Sequence, residues 1–359
     1  MKIDMFAHIC PSKFIDTLNK KGPVTWEMIS RTSSRVGGPA LWDLQKRFEV
    51  MDKYEDYTQV LTSSADVVEP FFCPDDVAYF SQLINDEMAE VVSKNPARFS
   101  GAVTRIPMTN IDAAMREIER TIDGMGFKGI QLNTPVYQYE KGRPLALGNN
   151  FETMKAIDSP EFMPLYEEMS KRNLPIWIHP VGFGGTPVYA GEKRGRYQLA
   201  HILGWPIESA MAMCRIVCSG ILAKYPNLRF VTHHCGSAII PALADRLDIE
   251  LEQYRKLGVI KWESGMDDPF QIKRPADYFK MFYADTALYG GTSVLMNGYE
   301  YFGADKIIFG TDYPYDMENG DLFIKTTIDA VSKMNISESD KKRIFEDNPK
   351  GLLNIAVKI

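Results

Sequence analysis

The fold class this sequence of 359 residues predicts is α/β, a closed (β/α)8 TIM barrel, and three observations predict it. Short apolar runs rich in Val, Ile, Phe and Tyr alternate with longer segments of helical periodicity, as parallel strands joined by helical crossovers do. There are eight such runs, the number at which a barrel closes. His8, His179, His234 and Asp312 stand at or near the C-terminal ends of four of them, where a barrel gathers its active site.

The strands are expected at Lys2 to Ile9, Tyr57 to Thr62, Phe99 to Ile106, Gly129 to Asn133, Pro175 to His179, Leu228 to His234, Phe282 to Asp285 and Lys306 to Asp312. Helices are expected between them at Pro74 to Asn95, Asn110 to Met125, Ser159 to Asn173 and Pro206 to Tyr225, with two more near the C-terminus. The first of these opens on Pro74, Asp75 and Asp76; proline geometry and acidic charge both suit a helix N-terminus. A doubly wound sheet would announce itself by a glycine-rich turn after the first strand, and His8-Ile-Cys-Pro11 has no such pattern. Two segments exceed the minimal repeat: an insertion after strand one, Pro11 to Leu44, and a long glycine-rich loop after strand five, Val181 to Gln198. Both follow strands that carry a candidate ligand, so both are expected at the barrel mouth as lids. One domain is expected to span 1–359.

Lys and Arg number 41 against 47 Asp and Glu, a formal net charge of −6, with 45% hydrophobic and 25% charged residues. This is globular composition, and it disfavours a nucleic-acid partner, which wants a basic face. No run approaches the roughly 18 apolar residues of a membrane span. Cys10, Cys73, Cys214, Cys218 and Cys235 are scattered and odd in number, so they read as reduced thiols, and a cytoplasmic location is expected.

Of the five histidines, His8, His179, His201, His233 and His234, four lie at expected strand ends. Imidazole nitrogens converging with the Asp312 carboxylate make a donor set suited to a catalytic divalent cation. Strand alternation sends His233 and His234 to opposite faces, so only one of the two is expected to enter the barrel mouth.

Several segments in order carry a family resemblance: Met1-Lys-Ile-Asp4, Arg47-Phe-Glu-Val-Met-Asp52, Gly126-Phe-Lys-Gly-Ile-Gln131, His179-Pro180, Pro226-Asn-Leu-Arg229 leading to His234, Asp285, Phe309-Gly-Thr-Asp-Tyr-Pro314 and Asn348-Pro-Lys-Gly-Leu-Leu353. Through most of its length the chain resembles the metal-dependent amidohydrolase superfamily, in the branch of aminocarboxymuconate semialdehyde decarboxylase and related aromatic acid decarboxylases. The resemblance implies that His179 and Asp312 are metal ligands with His8. It makes His234, chosen by counting from Leu228, the catalytic acid/base, which leaves His233 on the opposite face to pack, and it makes Asp285 a further catalytic residue. It also implies that Arg47 binds the substrate carboxylate, Arg246 reaches a neighbouring subunit's site in a homodimer, and one divalent ion, Zn or alternatively Mn, is the cofactor.

The chain departs from the family at Phe6, where an H-x-H or E-x-H pair would supply a ligand. His8, His179 and Asp312 would still give three donors, with Phe6 offering apolar surface to a substrate group. Three functions follow: non-oxidative decarboxylation of an aromatic or unsaturated carboxylic acid, metal-dependent hydrolysis of an amide, lactone or C–C bond, or a metal-free barrel that only binds. Phe6, Trp177, Tyr313 and Tyr315 suit a flat ring, and equally suit barrel filling.

Overall fold

The computed structural model describes residues 1–28, 38–64, 68–69, 71–138, 154–181, 197–234, 236–262 and 268–355. The barrel strands are β1 (Lys2–Ile9), β2 (Tyr57–Ser63), β3 in two pieces (Phe99–Ala102 and Thr104–Arg105), β4 (Ile130–Thr134), β5 (Ile176–Pro180), β6 (Phe230–Thr232), β7 (Tyr283–Asp285) and β8 (Ile307–Ile308). Each pairs in parallel with the next. The break in β3 is bridged by Val103, whose N–H donates to the Leu61 carbonyl at 2.9 Å. The ring closes between its ends: Met5 N–H donates to Phe309 O at 2.9 Å and His8 N–H to Tyr313 O at 2.7 Å, and Ala7 bridges Tyr313.

Strand six ends at Thr232 and strand eight at Ile308, earlier than expected, so His233, His234 and Asp312 lie on the turns beyond. His234 and Asp312 take left-handed backbone, at φ 50° and 66°. The register of β1 shifts between Asp4 and Ala7, and the adjacent Met5 and Phe6 both enter the cluster that fills the barrel. Such an irregularity puts neighbouring residues on one face, which strict alternation forbids. That inner cluster, with Ile3, Val60, Val103, Trp177, Val231 and Ile308, is separate from the larger core shared with the helices.

Outside the strands lie α1 (Ser12–Lys21), α2 (Leu44–Met51), α3 (Pro74–Lys94), α4 (Ile111–Met125), α5 (Met163–Arg172), α6 (Trp205–Cys218), α7 (Gly236–Lys256), α8 (Thr292–Phe302) and α9 (Asp321–Ser332). The Asn110 side chain caps α4 by accepting from Ala113 N–H at 3.0 Å. The helix expected over Pro206 to Tyr225 breaks at Gly220, whose φ of 81° is a left-handed conformation that glycine adopts without strain. Of the first expected lid, Pro11 to Leu44, only 29–37 lie outside the described residues, and the remainder holds α1 and a short helical turn at Pro39–Leu41; of the second, Val181 to Gln198, residues 182–196 lie outside them. Among the described residues, no helix is long and apolar enough to cross a membrane, and Cys10, Cys73, Cys214 and Cys218 are free thiols.

Candidate active site

His8, near the end of β1, is positioned by its strand neighbour: its Nδ1 lies 3.1 Å from Oγ1 of Thr62, the residue it pairs with on β2. Its Nε2 is thereby turned inward. There it lies 3.2 Å from Asp312 Oδ1 and 3.3 Å from His233 Nε2, and His233 Nε2 is itself 3.2 Å from the same Asp312 oxygen. Asp312 Oδ2 accepts a hydrogen bond from the Tyr289 hydroxyl at 2.6 Å. His179, on β5, sets its ring 5.0 Å from that of His8 and 5.2 Å from that of His233. One ligating atom from each of His8, His179 and His233 fits within a span of 4.8 Å, as does one from each of His233, His234 and Asp312.

The donor chemistry fits a divalent cation. Bonds of about 2.0–2.1 Å in a tetrahedral shell separate neighbouring donors by roughly 3.3 Å, which is the spacing of His8, His233 and Asp312. For His179, His234 and Asp312 the charge state fits as well. Burial, then the neighbouring imidazoles, push His179 well below the usual histidine range, and burial and His233 do the same to His234. Burial works against ionised Asp312, but His234, His233 and His8 outweigh it and hold the carboxyl well below its usual range. Neutral imidazoles beside an ionised carboxylate are the ligating forms. Burial also opposes a charged His233, yet Asp285 and Asp312 together raise it to about 9.

The structure corrects four expectations. His233 does not pack away from the site: β6 has ended, so pleat alternation no longer governs it, and both His233 and His234 are buried in the mouth with ring centroids 3.9 Å apart. Asp285 binds His233 Nδ1 and is itself fully buried behind that ring with its pKa raised by burial. Arg47 is fully buried, and its guanidinium is engaged by the protein itself. It donates to the His8 carbonyl, to Gln59 Oε1 at 2.6 Å and to Ala40 O at 3.3 Å, and lies 4.7 Å from the centroid of the Tyr313 ring. Phe6 is likewise fully buried and stacks on His233 at 3.8 Å, so it meets a ligand-type ring rather than a substrate.

Arg246 lies apart, 76% exposed on α7 and 4.0 Å from Glu250. Trp177 and Tyr313 are interior filling, the first donating from Nε1 to Met5 O at 2.9 Å. Tyr315 stays near the site, its ring 5.3 Å from His8, with its hydroxyl bonded to Ser64.

Sequence reasoning missed Tyr289, Trp205 and His201. The Trp205 ring lies 4.8 Å from His234, 5.7 Å from His179 and 4.2 Å from His201, forming an aromatic wall at the head of α6. An aromatic residue opening a helix after a long mouth loop was the available signal for Trp205; Tyr289 had none short of three-dimensional contact.

Residues 3–355 match the amidohydrolase family. The chain is 25% identical over 362 aligned positions to the 2-amino-3-carboxymuconate-6-semialdehyde decarboxylase of Dictyostelium discoideum, covering 97% of this chain and 90% of that protein. It is 28% identical over 319 positions to the gamma-resorcylate decarboxylase of Polaromonas sp. strain JS666, covering 88% and 89%. A crystal structure of dihydroxybenzoic acid decarboxylase from Polaromonas sp. JS666, with bound manganese and the inhibitor 2-nitroresorcinol, superposes with a TM-score of 0.72 at 25% identity, covering 99% of this chain and 97% of that one.

Proposed function

The chain belongs to the amidohydrolase family, and we propose that within it this protein is a metal-dependent non-oxidative decarboxylase of an aromatic or unsaturated carboxylic acid. The observation that carries the reading is the buried cluster in which His8 meets Asp312 at 3.2 Å and His179 at a ring separation of 5.0 Å, beside His234 and the Trp205 wall. The decarboxylase relatives named above, similar over most of their length, support the reaction class.

His8, His179 and Asp312 would hold the divalent ion, Zn or Mn, whose charge polarises a substrate oxygen when bound. Trp205 offers a flat apolar face to the substrate ring. His234 Nε2 is buried, has no hydrogen-bond partner among the described residues, and lies 4.0 Å from Asp312 Oδ2. It can draw a proton from solvent and deliver it to the carbon that bears the carboxylate. The C–C electron pair then returns to the unsaturated system and CO2 leaves, so one proton is exchanged for one CO2. Asp285 acts as a positioning residue, through His233.

Arg246 is exposed beside Ile249 and near Leu243, both also exposed, which supports a homodimer in which it approaches the partner's site. The free thiols suit the cytoplasm. The test is a panel of aromatic and unsaturated acids, following CO2 release and loss of ultraviolet absorbance with metal-replete protein. His234→Asn should lower turnover by about 10²–10⁴-fold. Release of no CO2, together with turnover of amides or lactones, would move the assignment to a hydrolase.

A further inference from the structure

We propose that His233 is a metal ligand that replaces, from another strand, the donor lost at Phe6. The inference rests on the metal-dependent reading above and assigns one more residue to that site. Three independent features converge on the ring.

The first is position. His233 Nε2 completes a triangle with His8 Nε2 and Asp312 Oδ1, with edges of 3.2, 3.2 and 3.3 Å. That spacing is the one between neighbouring donors in a tetrahedral shell. His234, by comparison, stands 4.0 Å from the other oxygen of Asp312.

The second is orientation. Asp285 engages His233 Nδ1, which fixes the ring and leaves Nε2 as the atom facing His8 and Asp312. A carboxylate behind a histidine is the usual support of a metal-bound imidazole: it sets the tautomer and raises the basicity of the ligating nitrogen.

The third is Phe6 itself. Phe6 and His8 are two apart on β1, and the Phe6 ring lies flat against His233 at 3.8 Å with an interplanar angle of 11°. The side chain that cannot coordinate therefore forms the platform for one that can. Loss of a donor on the first strand and gain of one beyond the sixth occur in direct contact, and His8, His179, His233 and Asp312 again make four protein donors.

With Nε2 committed to the ion, His233 is removed from proton transfer. His234, adjacent in sequence but swung into the mouth by its left-handed backbone, has an Nε2 that remains available for it.

The test measures metal binding rather than turnover. Apo protein is titrated calorimetrically with Zn²⁺ and Mn²⁺, and the Co²⁺-loaded form is read by its paramagnetically shifted, exchangeable imidazole N–H resonances. Wild type should show three such ring protons, and His233→Asn two. Affinity should fall at least 100-fold in His233→Asn and His233→Gln, and about 10–100-fold in Asp285→Asn. Adding Phe6→His to His233→Asn should recover at least tenfold, a rescue that no loss of folding can imitate. Affinity within threefold of wild type in both His233 variants overturns the assignment while leaving the metal site standing. Should those variants fail to fold, two shifted ring protons in wild type alone overturn it. Failure of wild type to take up either ion removes the metal reading together with this inference.

Discussion

Replacing Arg47 by lysine separates a structural strut from a substrate-binding arginine. Three acceptors hold the guanidinium: His8 O, Gln59 Oε1 and Ala40 O. A lysine ammonium is a compact point charge that cannot span the fork, and it retains about one of the three. Two lost hydrogen bonds from a buried charged donor, at roughly 1.5 kcal/mol each, amount to about 3 kcal/mol. An unfolding entropy of about 2.1 cal/mol/K per residue, over 359 residues, converts this to a fall in Tm of about 4 °C. Calorimetric melting of the apo protein reads that shift, and steady-state kinetics read substrate affinity. The expected result is a lowered Tm and lowered turnover, because the His8 backbone is no longer tied, with KM changed less than threefold. An unchanged Tm with KM raised tenfold or more would refute the strut and return Arg47 to the substrate carboxylate.

Asp4 accepts from four donors, the Phe6 and Thr311 amides and the Tyr57 and Thr311 hydroxyls. At pH 8, above the value of about 6 to which burial lifts it against those bonds, Asp4→Asn should cost about 3 kcal/mol by stranding buried donors; a loss under 1 kcal/mol in urea denaturation would contradict an ionised Asp4. Removal of the divalent ion should abolish turnover, and readdition at about 100 times Kd should restore it with a stability gain of roughly 2.7 kcal/mol; equal melting curves with and without chelator would refute a metal in the native protein. Trp205→Ala should raise KM for a ring-bearing acid by about tenfold and leave KM for an open-chain unsaturated acid within threefold; equal effects on both would deny Trp205 the role of an aromatic wall.

The barrel was legible because apolar runs and helical segments alternate, a property of composition and period that survives error at any one boundary. The meeting of His8, His179 and Asp312 followed from the same pattern, since strand ends in a barrel share one rim. His233 was misread because alternation was carried past Thr232, where the strand stops and a turn decides which way a ring faces. Phe6 was misjudged for a related reason: the register shift in β1 is invisible in sequence. Arg47 carries no sign of its burial, because a guanidinium is as fit to hold a backbone carbonyl as a carboxylate, and only the surrounding packing chooses.

Closure of the ring between β1 and the segment after β8 has a consequence for biosynthesis. Asp4 reaches Thr311, and His8 reaches Asp312, across some three hundred residues, so β1 must wait for the segment beyond β8 before its edge is covered. Contacts of such long range are entropically late and leave an open strand edge exposed to aggregation in the interval. Because donors from β1 and from beyond β8 meet at one point, cation uptake would mark barrels that have closed: a nascent or truncated chain lacking residues beyond Ile308 has His8 but no Asp312 to face it.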